Sequence, residues 1–131
     1  MERWDIVEAQ IVQAVYKTGV YIGECLQVKE AENKALVKVV AVKKHPQQGD
    51  LHHPKQTEGV FFHERKALAQ FEKAWMPLSS LKSYQGEVLE YKESLSIAWN
   101  QLHEKLKSEE TDFNLKSLEK LNDLKKEYRF E

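Results

Sequence analysis

Four of the five histidines fall within one stretch of the chain, His45, His52, His53 and His63, in company with Asp50, Glu64 and Arg65. Imidazole nitrogens and carboxylate oxygens at such density are ligand types for a zinc-like ion, and His63 beside Glu64 offers an acid–base pair. The pattern matches neither chemistry. The spacing fits no established metal signature, no cysteine lies nearby, and adjacent His52 and His53 project to opposite sides of any extended segment. No serine or cysteine has an activating context, and the glycines are scattered at 19, 23, 49, 59 and 86 instead of forming a phosphate cradle. The chain is therefore expected to be no enzyme and to carry no cofactor. Two uses of the cluster remain. Neutral imidazoles, each with one donor and one acceptor, can order a loop through hydrogen bonds. Alternatively His45, Asp50, His52, His53, His63, Glu64 and Arg65 form one partner-binding surface on a loop held by a rigid scaffold. A metal- or small-ligand-binding sensor is the rival function from another class.

The elements that would hold this stretch can be read on either side of it. From Gln10 to Val42 the residues are rich in Val, Ile, Tyr and Leu, broken at Lys17-Thr18-Gly19 and Glu30-Ala31-Glu32-Asn33. That predicts strands near 11–16, 20–28 and 35–43 joined by tight turns in an antiparallel meander. Pro46, Gly49, Pro54 and Gly59 make 44–59 a long loop. Residues 64–74 fit helical and strand spacing equally, and Trp75-Met76-Pro77 predicts a strand that ends at the proline, turns and resumes. Such short strands resemble a small SH3-like barrel, expected over 1–85, a likeness of fold that says nothing about chemistry.

Over 86–131 the rhythm changes to that of an α-helical hairpin. Tyr91, Leu95, Ala98, Trp99, Leu102 and Leu106 recur at steps of three and four, as do Leu115, Leu118, Leu121, Leu124 or Lys125, and Tyr128. Thr111 or Asp112 is placed to cap the second helix. Each stripe needs a partner, because isolated helices of this length are marginal in water. The stripes either close an intramolecular core or dock a partner helix or a second copy, which would make a homodimer through the helices.

Composition narrows the partners. With 131 residues, 20 basic against 21 acidic groups and a net charge of -1, the chain has one core's worth of material and no global field for nucleic acid or anionic lipid. Lys38, Lys43, Lys44 and Lys55 near the loop read as a solvated rim, so no nucleic-acid partner is expected. A single cysteine allows no intramolecular disulfide, and no apolar run is long enough to span a bilayer. A cytoplasmic location without direct membrane insertion is expected.

Several segments together carry a resemblance. Tyr16-Lys17-Thr18-Gly19-Val20-Tyr21-Ile22-Gly23, the run from His45-Pro46 through Gly49-Asp50-Leu51-His52-His53-Pro54-Lys55-Gln56, Phe61-Phe62-His63-Glu64-Arg65-Lys66-Ala67-Leu68-Ala69, and Tyr91 through Ser94-Leu95 are similar to kinase-associated protein B of spore-forming bacteria, from about residue 12 to the C-terminus. The resemblance implies an accessory protein that assists a membrane sensor histidine kinase feeding the sporulation phosphorelay. It also implies an antiparallel sheet followed by an extended helical region. The family is sometimes described as lipoproteins, but the lone Cys25 follows Glu24 and no apolar segment precedes it. Lipid attachment is therefore not expected, and membrane association would come through the kinase. No catalytic motif is transferred by the likeness.

Overall fold

The structure is a computed structural model that describes residues 9–49 and 64–129. β-Branched and aromatic residues on alternating positions build three long antiparallel strands, β1 (Ile11–Tyr16), β2 (Gly19–Lys29) and β3 (Lys34–Lys44). Within this meander Val12, Ala14, Tyr21, Cys25, Ala35, Val37 and Val39 face the core, each 1% exposed or less. The connection between β2 and β3 is a 3-10 turn, Glu30–Glu32, closed by Asn33 in the left-handed conformation, which Asn tolerates better than most residues. Gly23 has a separate reason to be glycine. A Cβ there would sit 2.4 Å from the Lys38 carbonyl oxygen, where β2 crosses β3 between two register shifts.

Residues 64–74 resolve into neither of the two expected forms as a whole. An extended, irregular run from Glu64 to Ala69 leads to a turn at Gln70–Phe71, with Phe71 at φ 67°, and β4 (Lys73–Pro77) then pairs with β3. After Pro77 another 3-10 turn, Leu78–Ser80, leads into β5 (Lys82–Ser83), so the strand does stop at the proline and resume. The sheet order is β4-β3-β2-β1-β5. Among the described residues it is a five-stranded antiparallel sheet with β4 and β5 at opposite edges, and the ladder does not close on itself as the expected barrel would. β5 is only two residues long, and beyond it the Val15 N–H on β1 is taken by the Ser80 hydroxyl at 3.1 Å.

Two helices complete an α+β fold. Helix α1 (Tyr91–Lys107) lays Leu95 and Ala98 into the core of the sheet. Its Ser94 hydroxyl accepts the Val42 N–H at 2.9 Å and donates to the Tyr91 carbonyl, locking the helix to β3. Helix α2 (Asp112–Tyr128) starts at Thr111, whose hydroxyl accepts the Asn114 N–H at 3.0 Å, so of the two caps the sequence allowed, Thr111 and not Asp112 serves. The helices are joined by Trp99, whose indole N–H donates to the Leu121 carbonyl at 2.8 Å. The buried line of α2 runs through Ser117, Leu121 and Leu124, and Leu115, placed on the stripe by spacing, is half exposed instead. Cys25 is buried on β2, as a small apolar group would be.

Candidate functional site

Of the seven residues expected to form a contact surface, His45, Glu64 and Arg65 are described, while Asp50, His52, His53 and His63 lie outside the described residues. The described ones lie on the two segments that flank residues 50–63, and these segments are brought together into a neck. His45 follows directly on β3 and is buried at 4% exposure, so it does not present itself on an outer surface as expected. Its Nδ1 lies 2.9 Å from the Pro46 carbonyl oxygen, which can only accept, so Nδ1 carries the proton. Nε2 must then accept, and it does so from the Tyr128 hydroxyl at 2.8 Å. The same hydroxyl accepts the Ala67 N–H at 2.9 Å. A relay therefore runs from Ala67 through the last residue of α2 to the end of β3. Burial pushes the imidazole down to about 4, against which the Pro46 hydrogen bond works only weakly. His45 is thus neutral, with both ring nitrogens occupied.

Gln48 performs a similar task. Its side chain is buried and pairs with Arg65 at two points, Oε1 accepting the Arg65 N–H at 2.8 Å and Nε2 donating to the Arg65 carbonyl at 3.0 Å. Nε2 also donates to the Pro46 carbonyl, and the Arg65 Nε donates to the carbonyl of Gly49, which has φ 104°. That conformation favours glycine. Glu64 is exposed and Arg65 is half-buried, its guanidinium held across the neck.

The next residues are received in the same manner. The Leu68 N–H donates to the Tyr21 hydroxyl at 3.2 Å, the Tyr91 hydroxyl donates to the Leu68 carbonyl, and the Ala69 N–H donates to Glu72 at 2.8 Å. This explains why 64–69 is neither strand nor helix: its backbone groups are satisfied by side chains from β2, α1, α2 and the loop root. Burial raises the phenols of Tyr21 and Tyr91 to about 12 and that of Tyr128 further still, so all three are neutral donors and acceptors. Sequence reading missed Gln48 and the hydroxyl roles of these tyrosines. Tyr91 and Tyr128 stand on the expected helical stripes, but spacing signals only that the rings are covered, not what their oxygens meet.

Among the described residues no group of three or more His, Cys, Asp and Glu is placed to hold a metal ion. The fifth histidine, His103, stacks on Trp99 at 4.7 Å between ring centres, with Lys125 over the other ring at 5.1 Å. Desolvation, then Lys107, lowers its pKa.

Fold and neck together define a small α+β protein in which a sheet and a helical hairpin jointly hold residues 45–49 against 64–69. The sequence profile of the kinase-associated protein B family matches residues 16–129. The kinase-associated lipoprotein B of Bacillus subtilis (strain 168) is 50% identical over 118 residues, spanning 90% of this chain and 91% of that protein. The crystal structure of kinase-associated protein B from Bacillus cereus superposes with a TM-score of 0.80 at 35% identity, covering 95% of this chain and 99% of that one. The chain belongs to the kinase-associated protein B family.

Proposed function

We propose that this chain is a non-enzymatic accessory protein that assists a membrane sensor histidine kinase in feeding phosphoryl groups into the sporulation phosphorelay, acting from the cytoplasmic side. The observation that carries the reading is family membership across residues 16–129, with half of the aligned residues shared with a relative named for its association with a kinase. The geometry supports an accessory role over a phosphoacceptor role for His45. A phosphoryl group needs an exposed imidazole nitrogen, whereas both nitrogens of His45 are buried and engaged. Cys25 is fully buried in β2 and offers no thiol for a lipid, which favours membrane proximity through the kinase. No helix among the described residues is long and apolar enough to cross a membrane.

The test is affinity capture of the tagged full chain from sporulating cells, followed by phosphotransfer from the captured kinase with and without added chain. Recovery of a histidine kinase whose phosphoryl output rises with the chain is expected. Failure to retain any histidine kinase would overturn the reading. Stoichiometric metal on the purified protein, lost when His52 and His53 are changed to alanine, would establish the sensor function in its place.

A further inference from the structure

A cleft of about 280 Å³ opens between the carboxyl end of β3, the β1–β2 turn and the last turns of α1. We propose that it binds a small organic anion, a carboxylate or phosphomonoester with a short apolar body. Lys44 from the sheet and Lys105 from the helix border the cleft, and no Asp or Glu lines it. Neither lysine has an ion pair among the described residues. Neutral donors converge on the same space. The Thr18 hydroxyl accepts the Gln47 N–H at 2.8 Å, which leaves its own proton to donate, and Gln101 adds a side-chain amide. Ala98 and Leu102, one helical turn apart, make an apolar floor. His45 closes the back with a neutral ring whose nitrogens are used elsewhere.

The carboxyl end of a helix disfavours an anion, but here the Lys105 carbonyl is already covered by the Ser108 hydroxyl at 2.6 Å and the Ser108 N–H at 3.3 Å. A second cleft makes the selectivity plain. It has a similar volume, about 290 Å³, but its Lys66 is paired with Glu127 and its Lys92 shares the wall with Glu90, so its charge is balanced. The volume of the first is at the small end of ligand sites, which fits a ligand of the size of phenyl phosphate or benzoate. The proposal stands independently of the kinase partner.

Amide NMR titration of the full chain at constant ionic strength tests it, with inorganic phosphate, phenyl phosphate, benzoate and uncharged benzyl alcohol as probes. Saturable shifts centred on Thr18, Gln47 and Lys105 are expected with phenyl phosphate and benzoate. Inorganic phosphate should bind about tenfold more weakly because it leaves the apolar floor bare, and benzyl alcohol should not saturate. Lys44→Gln with Lys105→Gln should weaken phenyl phosphate about tenfold or more at an unchanged melting temperature. Lys92→Gln with Lys116→Gln, which removes the same charge elsewhere, should leave binding as it was. Absence of saturation, shifts spread over every lysine, or equal weakening by the two double variants would each overturn the proposal.

Discussion

The sheet and the neck of the loop are held together by opposite means. In the sheet, backbone pairs with backbone, and apolar side chains such as Val12, Val37, Val39 and Met76 have no exposed surface at all. In the neck, the backbone of residues 65–69 is received by the side chains of Gln48, Tyr128, Tyr21, Tyr91 and Glu72. Apolar packing spreads its energy over many contacts and tolerates exchange of similar volumes. A side chain that satisfies a buried backbone group is a single point of support, and its loss leaves that group unpaired. The region that carries the loop is therefore specified by few residues, and the scaffold by many.

The largest effect should come from the sheet. Met76→Ala removes a fully buried side chain, and unfolding in urea should show a global loss of about 2–5 kcal/mol with an unchanged denaturant slope. A loss well below that range would mean the core collapses around the gap and the contrast with the neck is weaker than drawn.

The pH dependence of the neck comes next. The unfolded histidine takes its proton near 6.5, the folded His45 only near about 4. Between those values the unfolded chain binds more protons, so stability is fully present above about 6.5 and falls as the pH drops to about 4. The contribution is up to about 3 kcal/mol. Melting temperatures of wild type and His45→Gln over this window should converge as the pH falls. Parallel curves would show that His45 is not the titrating group.

Gln48→Ala leaves the N–H and carbonyl of Arg65 without their partner. A loss of about 2 kcal/mol is expected, with hydrogen exchange accelerated at residues 64–69 while β2 and β3 stay protected. Acceleration spread evenly over the sheet would show that neck and sheet open as one unit. The smallest effect belongs to Thr111→Ala, about 1 kcal/mol from loss of the α2 cap, with the first turn of α2 exchanging faster. An effect on the neck as large as that of Gln48→Ala would show that α2 transmits its own fraying through Tyr128.

Periodicity and turn chemistry, read along the chain alone, determined the three long strands, the stop at Pro77 and the two helices, and narrowed the α2 cap to Thr111 or Asp112, because each depends on residues within a few positions of one another. The same reading placed a break after β3 near His45-Pro46, since proline, glycine and crowded polar groups are local signals, but it left 64–74 open between helix and strand. Only the tertiary structure decided that His45 turns inward, that Gln48 zips to Arg65, and that Tyr128 reaches across from α2. It also decided that β4 and β5 lie at opposite edges of the sheet. Apart from the His45–Pro46 contact, these hydrogen bonds join residues between 17 and 83 positions apart. An imidazole, amide or hydroxyl can serve solvent, a ligand or a backbone group with equal chemistry, and which of these it meets is set by the elements that distant parts of the chain place around it.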